Sequence, residues 1–207
     1  QTLELLKKTK KTAKIIGITG YPGAGKSTLI DVLATKLHAK SKKIAILAVD
    51  PSSPISGGAL LGDRIRMQKS QNLENVFIRS VASRGALGGV SEACEDLILA
   101  FNAAGFDYII VETVGVGQAE VDIFKLADKV VVTLVPGMGD GVQALKAGIM
   151  EIANIFVINK ADYEGVSRLK KEIQDMLSLG DDKDIPIVET VASEEKGIDA
   201  LIEQVEK

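Results

Sequence analysis

A glycine-rich octet, Gly20-Tyr21-Pro22-Gly23-Ala24-Gly25-Lys26-Ser27, matches G-x-x-x-x-G-K-S/T. It follows an apolar run and opens a stretch with helical spacing, the context in which this pattern binds phosphate. Glycines let successive backbone N–H groups converge on one anion-sized cavity, and the helix N-terminus adds partial positive charge. Gly23, Ala24, Gly25, Lys26, Ser27 and Thr28 are therefore the candidate nucleotide-binding residues here. Lys26 can reach the β and γ phosphates, and the Ser27 hydroxyl can ligate magnesium.

A second set of residues bears on which base is bound. Asn159-Lys160-Ala161-Asp162 follows another apolar run and fits N-K-x-D. A carboxylate at Asp162 accepts from guanine N1–H and the N2 amine. Adenine offers no such donor pair and would leave the carboxylate unpaired, which costs more than a lost neutral hydrogen bond. The lysine stem can lie over the ring, and the asparagine can brace the loop. Thr190-Val191-Ala192 resembles the weaker S-A-x loop whose backbone N–H groups touch the guanine oxygen, with Val191 at the usual small hydroxyl position. Together these residues imply GTP or GDP as the ligand.

Carboxylates at strand ends complete the constellation. Asp50, Asp63 and Glu112 are candidates, with Ser27, for a magnesium ion or its waters, since magnesium takes oxygen ligands and keeps several waters. Gly115 could carry its backbone toward a γ phosphate, so order in that loop could depend on the nucleotide. For hydrolysis, Lys26, Asp63, Glu112 and Gln118 are the catalytic candidates. Small GTPases place a glutamine directly after the D-x-x-G glycine, but Val116 stands there. Gln118 and Glu120 are the nearby alternatives for orienting water, and Arg64, Arg66, Arg84 or a partner could supply an arginine. Slow turnover that a partner accelerates is the resulting expectation.

These residues need a frame. Apolar runs at 15–19, 44–49, 75–81, 107–111, 129–135, 155–158 and 185–191 read as strands. Helical spacing is expected over 27–40, 64–70, 91–104 (with Ser91 as N-cap), 140–152, 164–179 and 197–207. Strands alternating with helices predict an α/β chain. It should have three layers and a mostly parallel central sheet of about seven strands, covered by helices on both faces. Residues 1–13, rich in lysine, read as a basic helical arm, and 14–207 as one phosphate-loop GTPase domain.

Composition agrees and excludes other classes. The 207 residues are 46% hydrophobic and 26% charged, with net charge −3. Neither nucleic acid nor an anionic membrane is an expected partner. One cysteine, Cys94, and one histidine, His38, allow no internal disulfide framework and no Cys/His metal site. No apolar run reaches the ~20 residues of a membrane span. A cytoplasmic location is the expectation.

Several longer segments carry a family resemblance. They are Asp50-Pro51-Ser52-Ser53 with Gly57-Gly58, Leu61-Gly62-Asp63-Arg64, Glu112-Thr113-Val114-Gly115-Val116-Gly117-Gln118 and Pro136-Gly137-Met138-Gly139-Asp140. Together they resemble the MeaB/ArgK/MMAA group of SIMIBI-class GTPases over about 14–201. The resemblance implies a chaperone of an adenosylcobalamin-dependent acyl-CoA mutase, chiefly methylmalonyl-CoA mutase. GTP hydrolysis would gate cofactor loading and protect or rescue the mutase, with the adenosyltransferase a further candidate partner. It implies that Glu112 replaces the usual D-x-x-G aspartate. It also assigns a mutase-signalling loop to 136–146, where Asp140, Gln143 and Lys146 are the polar candidates. Members pair through a C-terminal extension, so a homodimer is expected where that extension is present. A nickel-handling GTPase of the same superfamily, a transport-accessory kinase and a nucleotide switch without catalysis are the competing readings.

Overall fold

The computed structural model describes residues 12–50, 67–82, 89–113, 125–137, 152–178 and 184–207. Seven strands form one sheet: β1 (Lys14–Gly20), β2 (Ile44–Asp50), β3 (Val76–Ala82), β4 (Tyr108–Thr113), β5 (Lys129–Leu134), β6 (Ile155–Asn159) and β7 (Ile187–Thr190). Their spatial order is β3-β2-β4-β1-β5-β6-β7, and every pairing is parallel. Helices α1 (Lys26–Ala39), α2 (Gly89–Ala103), α3 (Val166–Leu177) and α4 (Ile198–Glu206), with a short 3₁₀ turn over Ala192–Glu194, complete the described elements.

Layering follows from side-chain alternation along each strand. Ile16, Ile18, Ile44, Ile46, Ile110, Val131 and Val157 pack on one face with α1 and α4. Val130, Val132, Phe156 and Ile158 face the other way, against Leu169 and Ile173 of α3. Ile15, Leu47, Ile109 and Val111 also face that way and meet Cys94, Ile98 and Phe101 of α2. Central strands therefore bury both faces, which explains why they read as unbroken apolar runs. Helix α1 is buried over most of its circumference because α4 and the 3₁₀ turn cover the side facing away from the sheet. Helix α3 buries only Leu169 and Ile173 and carries an exposed Arg168–Glu172 pair at 2.9 Å on its outer side.

The parallel sheet of about seven strands is as expected, with every pairing among the described strands parallel. Several boundaries differ from expectation for local reasons. β4 runs on to Thr113 because Ala48 and Val49 of β2 stay in register with Glu112 and Thr113, so Glu112 lies in the strand rather than the loop. β7 starts at Ile187, not 185, because Pro186 has no N–H for the ladder. Helix α2 begins at Gly89, two residues before Ser91, which places Ser91 inside the first turn and not at the cap. Helices α3 and α4 start at Val166 and Ile198 because Gly165 and Gly197 hold φ of 96° and 75°. Of the helix expected over 64–70, residues 68–70 form turns, 67 has no regular structure, and 64–66 lie outside the described residues. Of the one expected over 140–152, only Ile152 is described, and the arm at 1–11 is also outside.

Cys94 is fully buried, and burial pushes its thiol up to about 11. At neutral pH it is a protonated, inert core group. Ellman's reagent should leave it unlabelled in the native chain and titrate one thiol after denaturation.

Glycine is required where the chain enters α4. A Cβ at Gly197 would stand 2.1 Å from the Glu189 carbonyl oxygen at φ 75°. Gly105 shares the positive φ, 74°, but a Cβ there meets nothing within 4 Å. Gly105→Ala should cost about 1 kcal/mol, the left-handed backbone penalty alone. Gly197→Ala adds a backbone overlap and should cost at least about 2 kcal/mol more in urea unfolding.

Candidate functional site

The strand order puts β1 at the centre, where the chain path reverses: β2 and β3 lie on one side, β5, β6 and β7 on the other. Ligands of open parallel sheets bind beyond the strand C-termini at such a reversal. The glycine-rich octet leaves β1 there. Gly20 exits at φ 144°, where a Cβ would come 2.1 Å from the Thr133 carbonyl oxygen on the neighbouring strand. Only glycine lets the loop depart so close to β5. Ala24 N–H closes a turn onto Tyr21 O at 3.1 Å, and Leu29 N–H onto Gly25 O at 2.9 Å starts α1. No side chain caps this helix, so its N-terminal amides are available to an anion.

Carbonyls of this loop accept from three side chains, one of the loop itself and two from the end of β6. Lys26 Nζ donates to Gly20 O at 2.8 Å and Tyr21 O at 3.0 Å. Lys160 Nζ donates to Gly23 O at 3.1 Å. Asn159 Nδ2 donates to Ala24 O at 2.9 Å. In a trans peptide the N–H points opposite to the C=O, so the Gly20 and Ala24 carbonyls, drawn toward Lys26 and Asn159, turn the Tyr21 and Gly25 amides to the loop's other side, whereas Pro22 has no N–H and the Ala24 N–H is taken by Tyr21 O. Thr28 is exposed on the first turn of α1.

Asn159 is the junction of the site. It is 2% exposed at the end of β6. Its Oδ1 accepts from Thr190 Oγ1 and from Ala192 N–H, both at 3.1 Å. One side chain thus ties the phosphate loop to the loop after β7. Gly25 must be glycine partly for this reason, since a Cβ there would lie 2.5 Å from Asn159 Nδ2. Lys160 adopts φ 56°, and Ala161 N–H reaches Thr190 O at 3.0 Å, which seats the N-K-x-D turn against β7. Asp162 is exposed at this turn and close enough to Lys196 to help hold that ammonium above its usual range, after the larger effect of the Glu194 contact. Val191 N–H is taken by Lys196 O at 3.1 Å, so of the pair Val191 and Ala192 neither amide is idle.

Two of the four predicted magnesium residues meet. Ser27 Oγ donates to Glu112 Oε1 at 3.0 Å, and Glu112 is 3% exposed beside β1 in register with Ile18. A buried carboxylate against a hydroxyl at the foot of the phosphate loop is an all-oxygen donor set suited to magnesium or its waters. Asp50 ends β2, one residue past the Val49–Thr113 pairing, and its side chain is not described. Asp63, Gln118, Glu120, Arg64, Arg66, Arg84, Gly115, Asp140, Gln143 and Lys146 lie outside the described residues. One buried charge escaped the sequence reading. Asp31, inside the apolar run Leu29-Ile30-Asp31-Val32-Leu33, is 6% exposed and accepts from Ser70. A carboxylate breaking an apolar helical run was the available signal.

This fold and this loop define a phosphate-loop nucleotide-binding protein of the three-layer α/β type. The family model described as methylmalonyl Co-A mutase-associated GTPase MeaB matches residues 1–207, and the chain belongs to that family. A Pyrococcus abyssi protein provisionally named a GTPase is 53% identical over 201 residues, covering 94% of this chain and 62% of the relative. GTPase ArgK of Escherichia coli is 47% identical over 147 residues, 71% of this chain and 44% of ArgK. The mitochondrial methylmalonic aciduria type A homolog of Caenorhabditis elegans is 40% identical over 148 residues, 71% of this chain and 37% of the relative. The chain thus spans less than two thirds of the length of these relatives. Among solved structures, a LAO/AO transport system kinase superposes with TM-score 0.76 at 31% identity, covering 98% of this chain and 61% of that one. The hydrogenase maturation factor HypB of Archaeoglobus fulgidus superposes with TM-score 0.73 at 19% identity over 99% of this chain and 93% of that one, a likeness of fold alone.

Asn159→Ala removes the donor to the buried Ala24 carbonyl and the acceptor for Thr190 and Ala192. Orphaning such groups should destabilise the chain by about 2–4 kcal/mol. Asn159→Asp keeps the acceptor but opposes a carboxylate to Ala24 O. It should therefore weaken GDP binding more than it lowers the unfolding midpoint, which calorimetric titration and urea melts would separate.

Proposed function

We propose that this chain binds GTP with magnesium and hydrolyses it to GDP and phosphate. We further propose that it serves as the G domain of a chaperone for an adenosylcobalamin-dependent acyl-CoA mutase. The observation that carries the nucleotide reading is the Asn159 junction. It joins an N-K-x-D turn to a phosphate loop through one side chain bonded to both. A base at Asp162 and phosphates at Gly23–Ser27 then belong to one rigid unit.

In this reading each residue has a defined task. The loop amides and the α1 N-terminus bind the phosphate oxygens. Lys26, whose Nζ rests on the Gly20 and Tyr21 carbonyls, would supply a positive charge to the transferring phosphoryl group. Ser27 and Glu112, with Asp50 and Asp63 as further candidates, would hold magnesium, which neutralises charge on the phosphates when bound. Phosphoryl transfer asks mainly for positioning and electrostatic stabilisation, so this set supplies most of the machinery. Gln118 is the proposed water-orienting group. Val116 stands where small GTPases keep their glutamine, which supports slow intrinsic turnover that a partner accelerates.

Membership in the MeaB family and the printed name of the Caenorhabditis elegans relative support a methylmalonyl-CoA mutase as the client. The adenosyltransferase is a further proposed partner, a homodimer is the proposed assembly, and the proposed location is the cytoplasm. Residues 136–146, with Asp140, Gln143 and Lys146, are the proposed contact to the mutase.

Two measurements test this. Asp162→Asn should move preference from guanine to xanthine nucleotides, because the amide offers a donor to the extra carbonyl. Unchanged GTP affinity would remove Asp162 from the base site. GTP turnover by the chain should be slow alone and rise several-fold with the mutase from the same source. Fast turnover without the mutase would contradict the proposed partner dependence.

A further inference from the structure

The turn that carries Asp162 also holds an aromatic ring to which the nucleotide site has given no task. Tyr163 N–H reaches Lys160 O at 3.0 Å, which closes the turn and brings the two residues together. The Lys160 ammonium lies over the Tyr163 ring, 6.0 Å from its centroid. The same ammonium donates to Gly23 O of the phosphate loop at 3.1 Å. It therefore has two partners, a carbonyl of the phosphate loop and a ring face of its own turn. Tyr163 is 57% exposed, and its neighbour Asp162 is exposed too. A surface tyrosine needs no explanation by itself. This one meets a lysine that is under constraint. Lys160 holds φ 56°, a region where glycine or asparagine sits more easily than a lysine. A long side chain at such a position points to a use for that side chain.

We propose that Tyr163 is a positioning residue for the base, acting through Lys160. Its ring holds the ammonium on Gly23 O, so the methylenes of Lys160 stretch from the end of β6 to the phosphate loop. They then offer an apolar edge to a purine before it arrives. The inference rests on the reading of Asp162 as the carboxylate that takes the guanine edge. One exposed bond from an ammonium to a carbonyl is opposed by the rotamer freedom of a four-carbon stem. The negative face of an aromatic ring attracts an ammonium out to about 6 Å. Both contacts together keep the stem in one arrangement more of the time than either does alone. Nucleotide then meets a larger fraction of molecules already arranged for it, and the gain is read as affinity. The attraction comes from the ring face and not from the hydroxyl. Phenylalanine should therefore replace tyrosine here, and an aliphatic side chain should not.

The test is calorimetric titration of the full chain with GDP, with ADP as the control ligand. Tyr163→Leu should weaken GDP binding about two- to fivefold, the range for an exposed contact between a ring and an ammonium. Tyr163→Phe, which keeps the ring, should bind GDP as the unsubstituted chain does. Lys160→Met keeps a straight stem without the charge. On that background Tyr163→Leu should cost nothing further, because the contact it removes is already gone. Tyr163 is exposed, so its variants should share one urea midpoint. Unchanged GDP affinity in Tyr163→Leu, an equal loss in Tyr163→Phe, or a loss that persists on the Lys160→Met background would overturn the proposal. ADP binding as tight as GDP binding in the unsubstituted chain would instead defeat the guanine reading on which it rests.

Discussion

Where the phosphate-loop carbonyls go governs the rest of this molecule. A loop that must present amides to an anion has to dispose of its carbonyl oxygens elsewhere, and buried carbonyls need donors. Lys26 takes Gly20 and Tyr21, Lys160 takes Gly23, and Asn159 takes Ala24. Two of those three donors come from the end of β6, so the phosphate loop can hold its shape only if β6 ends beside it.

That requirement explains the sheet. β5 separates β1 from β6, and it must be narrow where the loop leaves. The solution is Gly20, whose missing Cβ lets the chain pass the Thr133 carbonyl. On the other side β4 delivers Glu112 to Ser27 because the β1–β4 ladder stays in register as far as Ile18 and Glu112. The continuous apolar strands set these registers, and α1, covered by the sheet on one side and by α4 and the 3₁₀ turn on the other, holds Ser27 and Asp31 in place. Core packing and site geometry are thus one problem, with the loop after β7 brought in through Thr190 and Ala192.

Much of this was legible from residue order. The octet at Gly20–Ser27, the N-K-x-D turn and the apolar runs each have a local physical signature, and the seven strands lie where those runs stand. The bracing role expected of Asn159 is what its side chain does. The misread boundaries share one cause. Ser91 reads as a cap, Pro186 as strand and Gly165 as helix only when flanking residues are weighed without their partners. Glu112 reads as loop because a charged residue after an apolar run normally marks a strand end. It stays in the strand because β2 continues to pair beside it.

What the sequence determined by itself were the groups whose chemistry is local. They are a glycine-rich loop at a helix start, an N-K-x-D turn after a strand, and strands buried on both faces. These depend on spacing along a few residues and on periodicity. What the tertiary structure decided were meetings across the chain: Asn159 with Ala24 and Ala192, Ser27 with Glu112, Asp31 with Ser70, and Lys69 with Glu195. No pattern in the order of residues specifies them, because each depends on strand order and register. Those are set by the summed packing of the sheet and its helices, and only then do residues 33 to 135 positions apart come within hydrogen-bond reach.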